Sequence, residues 1–390
     1  VASTIQGDQK AIAILQQSSA RFYQRPDAEH LTFDSTLTQL SGHGGSLKIG
    51  KGSKGNWRYS TALSWRSAGL DLNDIGYMQT ADQVANTNEL SYFINQPKGV
   101  LRQLNVGVMQ SNYWDYRMTY LKSHFNASFS GQFLNKWSVN SHVCYFPPSL
   151  DTRILRGGNS MKVPSLAHGS LGFNTDYSKK VSFSLNTFYE TGGENSSSSH
   201  SISPSFTYQP ISSLKLSVSI DYSANVNELQ YVAQTTSQQK PVYLLGKIDQ
   251  QTLGATFRVD YHINPELSFQ YYGSPFASTG SFSNFKQIDN PLAEVFTDRY
   301  QVLAPVLNEN TYKTSDFNFD NPDFSFTQFR SNLVFRWEYL PGSKLFVVWS
   351  NERTNYQSVS QLNVQEAFKG LGSVFPRNVF LLKWSYWFSI

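Results

Sequence analysis

The sequence predicts an all-β fold, a single antiparallel transmembrane β-barrel of about sixteen strands with short periplasmic turns and long extracellular loops. Three observations predict it: the composition, a period-two alternation with aromatic ends, and connections that alternate in length. The chain has 390 residues, of which 39% are hydrophobic, 15% aromatic and 15% charged. An average soluble domain is about 45–50% apolar and about 25% charged. Being low in both argues against an ordinary soluble enzyme of this length. The 28 Phe, 22 Tyr and 8 Trp are too many for a solvated coil. Mean hydropathy is −0.39, and no run approaches the ~20 apolar residues of a spanning helix. A wall with one face on lipid and the other on a wet lumen reconciles a polar average with many aromatics.

The net charge of +4 is small, and no Lys/Arg run marks a nucleic-acid partner. The single cysteine, Cys144, excludes an internal disulfide. The chain opens Val1-Ala-Ser-Thr-Ile5 without a basic or apolar leader. It therefore reads as a mature chain, or a piece whose export signal lay upstream.

Strands follow in chain order. The weakest are 9–18 and 31–52; 59–66, 121–133 and 181–190 alternate loosely. In 214–222, Leu214, Leu216, Val218, Ile220 and Tyr222 oppose Lys215, Ser217, Ser219 and Asp221. In 253–263, Leu253, Ala255, Phe257, Val259, Tyr261 and Ile263 oppose Thr256, Arg258, Asp260 and His262. The pair 213–236 and 241–263 exceeds the ~9–11 residues needed to cross, so it is expected to project beyond the membrane. In 327–339, Phe329, Ser331, Leu333, Phe335, Trp337 and Tyr339 oppose Gln328, Arg330, Asn332, Arg336 and Glu338. The last strand sets Phe380, Leu382, Trp384, Tyr386, Phe388 and Ile390 against Lys383, Ser385 and Ser389. Such period-two faces are those of two-sided strands. A soluble sandwich alternates too, but here the apolar faces end in aromatics, as interfacial girdles do. Short turns are expected at 53–56, 96–100, 133–135, 178–179, 210–212, 264–266 and 340–342. Longer connections fall at 18–30, 67–85, 114–119, 147–165, 192–199, 237–240, 276–326 and 353–375. With the last strand descending, both termini are expected in the periplasm.

Particular segments carry a resemblance. They are Gln6-Gly-Asp-Gln-Lys-Ala-Ile-Ala-Ile-Leu15 with its continuation to Asp27, and Gly69-Leu-Asp-Leu-Asn-Asp-Ile-Gly-Tyr77 with Ala81-Asp82. Asp249-Gln-Gln-Thr-Leu-Gly-Ala-Thr-Phe-Arg258 leads into Pro265-Glu-Leu-Ser-Phe-Gln-Tyr-Tyr-Gly-Ser-Pro-Phe276, and Phe335-Arg-Trp-Glu-Tyr-Leu-Pro-Gly342 follows. Together they resemble an uncharacterised family of Bacteroidota outer-membrane barrels. Its precursors carry an N-terminal sandwich similar to family-nine carbohydrate-binding modules. The resemblance implies that residues 1–390 are one barrel, the C-terminal part of a longer precursor. It implies a location and an architecture and no known activity.

Candidate sites lie on the inward faces. Arg258, Asp260, His262, Arg330, Arg336, Glu338, Glu352 and Lys383 read either as a polar constriction that selects solutes or as mixed-sign pairs bracing the wall. A tight turn near 134 is expected to bring His124 near Cys144 and Asn126 near His142. This set reads as ordinary lumen polar residues. Its chemical alternatives are a thiolate nucleophile or a thin soft-metal site, so no metal or cofactor is expected. Asp71, Asn73, Gly76 and Asp82 have calcium-loop offsets, but Ile75 cannot ligate. Loop 276–326, with Tyr300, Tyr312, Phe317, Phe319 and Phe324, reads as a plug or as a surface for glycan or a partner. Outward Ser123, Ala127 and Gly131 suit a protein neighbour. The expectation is a transport pore or gated channel with a possible glycan link. The alternative is a loop-plugged subunit of a larger outer-membrane complex. No catalytic constellation supports an outer-membrane hydrolase. Expected partners are the bilayer, lipopolysaccharide and other outer-membrane proteins.

Overall fold

The computed structural model describes residues 1–52, 54–73, 76–358 and 364–388. The wall is an antiparallel meander. Its strands are β1 (Ala2–Gln6), β2 (Gln39–Gly50), β3 (Trp57–Arg66), β4 (Gln83–Ile94), β5 (Leu101–Trp114), β6 (Tyr120–Phe133), β7 (Ser138–Phe146) and β8 (Leu166–Asn174). They continue as β9 (Val181–Gly192), β10 (Ser197–Ile211), β11 (Leu214–Ser237), β12 (Lys240–His262), β13 (Leu267–Ile288), β14 (Phe324–Leu340), β15 (Ser343–Gln357) and β16 (Arg377–Ser385). One sheet holds all of these together with the short strand Tyr300–Val302. From β2 to β16, each strand pairs with its neighbour in sequence. The barrel of about sixteen antiparallel strands is therefore present.

The first strand takes an unexpected place. The Gly44 N–H donates to the Val1 carbonyl at 3.0 Å, while the His43 carbonyl accepts from Ser67 at 2.8 Å. Successive residues bond to opposite sides, so β1 and β3 flank opposite edges of β2. Val1 lies opposite the middle of β2, and the chain runs from there toward the long-loop end. Residues 9–18, expected as a strand, are instead helix α1 (Gln9–Gln17). Its N-cap Asp8 accepts from Ala11 N at 2.7 Å. Its period is helical because Ile12 and Gln16, four apart, are the buried pair.

Registers sort the faces. Tyr59, Leu90, Val108, Ala127 and Val143 form one outward row. Ser60, Glu89, Met109, Asn126, Cys144, His168 and Glu190 form the inward row beside it. The expected outward set Ser123, Ala127 and Gly131 lies on the first of these faces. Ser389 and Ile390 of the expected last strand lie outside the described residues.

Strands β11, β12 and β13 run 24, 23 and 22 residues and rise beyond the rest of the wall. The turn between β11 and β12 has two residues, Gln238 and Gln239, with φ of 48° and 64°. Positive φ at both positions is the type I′ geometry that matches strand twist. The adjacent side chains Leu244 and Leu245 are each 0% exposed, on opposite faces of this tall ribbon. Leu244 packs with Val242, Phe282, Phe285, Phe319, Tyr312, Phe317 and Phe324. Leu245 packs with Leu155, Met161 and Leu229 on the other face. Loop 289–323 carries a three-stranded sheet of 306–308, 311–313 and 318–320 that packs on the Leu244 face, which through Ile248, Phe282 and Phe324 continues the inward face of β12–β14. Of the stretch 276–326, read from the sequence as a plug or a surface for glycan or a partner, only 289–323 is loop. The first part of the stretch continues β13, and Tyr312, Phe317, Phe319 and Phe324 are consumed in a core. Tyr300 instead pairs with Phe296 and lies under the Lys286 ammonium.

Leu244→Ala is expected to destabilise this core by about 2–5 kcal/mol. Denaturant unfolding in detergent, with protease cleavage of 303–323 as the local readout, checks it. Unchanged stability and cleavage would contradict the packing.

Candidate functional site

At the long-loop end the lumen is occupied by the N-terminal segment between β1 and β2. Its helix is pinned through Gln16, whose side chain donates to the Asp34 carbonyl at 2.8 Å and accepts from the Asp34 N–H at 2.9 Å. From there the segment reaches three loops. Arg21 donates to the Leu70 carbonyl at 2.6 Å and pairs with Asp71 at 2.9 Å, with side chains only 1% and 6% exposed. Arg25 bridges Asp27 at 3.3 Å and Ser160 at 3.1 Å, and Ser160 N donates to Asp27 at 2.9 Å. His30 Nε2 lies 2.9 Å from Asp82, which also accepts from Tyr116 N at 3.1 Å. Arg117 pairs with Glu29, and the Ala81 N–H donates to the Ala20 carbonyl at 2.9 Å. We refer to residues 7–38 as the lid.

Glycine makes the first contact possible. A Cβ on Gly42 would sit 2.0 Å from Leu70 N. Only a glycine lets loop 67–72 cross β2 so closely, and that crossing presents the Leu70 carbonyl to Arg21.

Beneath the lid is a cavity of about 980 Å³. It is walled by lid residues 19–22 and 25, loop 149–156, and inward residues such as Lys122, Phe146, Leu166, Glu190 and Asn227. Arg153 reaches its rim to donate to Thr80 at 2.9 Å, and the Arg156 guanidinium stacks 4.1 Å over Tyr231. Cations Arg21, Arg25, Lys122, Arg153 and Arg156 face the carboxylates of Asp82, Asp115, Asp151 and Glu190. Neither sign dominates.

Burial would raise the Asp27 carboxyl, but the Ser160 hydroxyl and N–H together with the Arg25 guanidinium outweigh it and hold it below the usual value. Burial pushes the Tyr23 phenol up, against the pull of Arg21.

The charged residues singled out from the sequence lie on the inward faces, with Asp260, His262, Arg336, Glu338 and Lys383 toward the short turns. Arg330 pairs with Glu352 at 2.9 Å across β14 and β15. Glu338 pairs with Arg336 at 2.8 Å and Lys344 at 3.6 Å. Arg258 sits over the Tyr272 ring at 5.2 Å, and Lys383 over Phe346 at 6.0 Å. Asp260 is opposite Lys215, and His262 lies next to the turn. Mixed signs paired along the wall brace it and leave no field of one sign.

The His/Cys set differs from its expected pairing by one rung. The turn at 134–137 puts Asn126 opposite Cys144, Ser128 opposite His142, and Phe146 beside His124. Sequence reasoning missed His168. The β7–β8 register sets it opposite Cys144. Its signal was the inward parity of Leu166, His168 and Ser170, which no pattern tied to 138–146. In the calcium-like loop, Asp71 is held by Arg21 and Asp82 by His30, so the two do not converge. Ile75 lies outside the described residues.

Because Asp27 titrates low in the folded state, its contribution to the latch is present above the unfolded value of about 3.9. It is lost as pH falls through the folded value. A spin label at Ser19→Cys in a Cys144→Ser background is expected to be immobile at pH 6–8 and to gain mobility below about pH 4. Asp27→Asn is expected to be mobile throughout. A label that stays immobile in both would contradict the latch.

Comparisons with known proteins follow the geometry. No curated protein matches. A bacterial polysaccharide outer membrane secretin shares 8% identity over 81% of this chain and 87% of that chain, with a TM-score of 0.34. The FrpB iron transporter of Neisseria meningitidis (F5-1 variant, apoprotein form) shares 9% identity over 83% of this chain and 61% of that chain, with a TM-score of 0.35. A family model described as a domain of unknown function, DUF5916, matches residues 15–389, and the chain belongs to that family.

Proposed function

We propose that the protein is a transport-type barrel of the outer membrane, a channel gated at its outer mouth by the lid, residues 7–38. The observation that carries this reading is the latch. Ion pairs and hydrogen bonds tie the lid to loops 67–82, 115–119 and 147–165 over a cavity of about 980 Å³. A membrane location is supported by the outward faces of β3–β6. Trp65, Trp114 and Tyr120 lie at the long-loop side of that face, and Trp57, Tyr59 and Tyr92 at the other. Two aromatic belts around an apolar band are the girdles of an outer-membrane barrel. The polar latch can open without exposing a large core, because Ile12, Phe22 and Leu31 are the large apolar side chains the lid buries among the described residues.

Arg21→Ala with Arg25→Ala is expected to convert a silent or flickering barrel into one of steady conductance in planar bilayers. Removing one partner of a buried ion pair costs about 3–5 kcal/mol, enough to shift a latch of this kind. Deleting 303–323, which takes no part in the latch, is expected to leave conductance unchanged. Conductance gained only on that deletion would overturn the reading.

A second reading, a subunit of an outer-membrane complex, has its own observation. Between the two belts, Thr61 donates to Asn88 at 2.8 Å, and Asn88 donates to Gln110 at 3.0 Å and Asn86 at 2.9 Å. Ser123 donates to Asn112 at 2.6 Å on the same face. Beside them lies a depression of about 750 Å³ with Ala127, Leu90 and Val108 among its lining. Amides in a lipid-facing band are costly, and a protein neighbour would use them. Asn88→Leu with Gln110→Leu is expected to strip any partner that co-purifies in mild detergent while leaving the barrel folded. Partners retained on the variant would contradict this reading.

A further inference from the structure

We propose that the lumen wall holds a binding site for a soft or borderline transition-metal ion, with His142 and Cys144 of β7 and His168 of β8 as ligands. This proposal stands apart from gating, because the site is in the wall and not in the lid.

The three side chains come together through register. His168 is directly opposite Cys144, and His142 is two residues along β7 on the same inward face. One ligand atom from each lies within 4.8 Å of the others. A tetrahedral ion with bonds of about 2.0–2.1 Å to nitrogen and about 2.3 Å to sulfur needs ligand atoms roughly 3.3–3.8 Å apart. Small side-chain rotations therefore close the set without moving the ladder.

The surroundings fit metal ligands. The Ser170 hydroxyl lies 2.7 Å from His142 Nδ1. Accepting the Nδ1 proton there leaves Nε2 as the lone pair, the usual arrangement for a ligating imidazole. Asn126 Nδ2 donates to Cys144 Sγ at 3.0 Å, an outer contact of the kind that orients a metal ligand. Nδ1 of His168 is buried with no hydrogen-bond partner, which is costly for a polar atom unless something binds it. Phe146 and Phe188 flank its ring and keep the site partly dry. One rung further out, His124 also has a buried, unpartnered Nε2 and stacks on Phe146.

Two imidazoles and one thiolate select zinc(II) or copper(I) over calcium or magnesium, which prefer oxygen. On binding, the Cys144 S–H proton leaves to solvent and the sulfur–metal bond replaces it. The fourth position faces the lumen, open to water or to a passing solute.

Cobalt(II) titration of the full chain in detergent tests the site. Cys144 is the single cysteine, so any thiolate-to-cobalt charge-transfer band reports this position without a variant. One equivalent per chain is expected, with tetrahedral d–d intensity and displacement by zinc. Cys144→Ser is expected to abolish the band. His168→Ala is expected to weaken binding by at least about tenfold, and Ser170→Ala by about tenfold. His200→Ala, on the outward face opposite Tyr189, is expected to change nothing. No thiolate band in the wild-type protein would overturn the proposal, as would a band that survives His142→Ala and His168→Ala unaltered. Because the wild-type spectrum decides the first point, a variant that fails to fold does not rescue the idea.

Discussion

Lipid offers no hydrogen-bond partner, so backbone N–H and C=O groups in the membrane-spanning wall must bond within the wall. The rest of this molecule depends on that constraint. It forces a continuous antiparallel ladder, and the ladder fixes which face every side chain occupies. Leu90 and Val108 then meet lipid while Glu89 and Met109 meet the lumen. The same ladder aligns residues far apart in sequence, and Cys144 faces His168 for that reason alone. Above the membrane the constraint relaxes. There β11–β13 continue as a free ribbon and need side-chain cores on both faces, built around Leu244 and Leu245.

Much of this was legible in the sequence, because a period of two survives in single strands. The faces of 253–263 and 327–339 were assigned correctly from alternation, and the tall pair at 213–263 followed from length. What was not legible depends on pairing. The His124–Cys144 guess failed by one rung because turn geometry at 134–137 sets the register, and no Asn-Gly or Asp-Gly signal fixes it. The hairpin at 238–239 was also hidden, since two glutamines take the positive φ that sequence rules reserve for Gly or Asn.

The lid shows a different kind of blindness. Residues 9–18 contain Ile12, Ile14 and Leu15, which pass for a weak strand. Their true period emerges only when Ile12 and Gln16 are seen buried together. The plug was sought in the longest loop, with its many aromatics. Those aromatics pack with Leu244 on the tall ribbon, where an apolar core suits a fixed structure. The segment that sits in the mouth is polar and held by charge, as Arg21, Arg25, Asp27 and His30 show. A polar lid dissolves its contacts into water when it opens, whereas an aromatic plug would have to expose a core.

The most direct test locks the lid in place. Ala20 and Ala81 are joined by a 2.9 Å backbone hydrogen bond between lid and loop, so cysteines at both, in a Cys144→Ser background, sit where a disulfide can form. Solute flux into liposomes would be measured before and after reduction. A lid that gates the mouth predicts flux blocked in the oxidised protein and restored by the reductant. Equal flux in both states would contradict it.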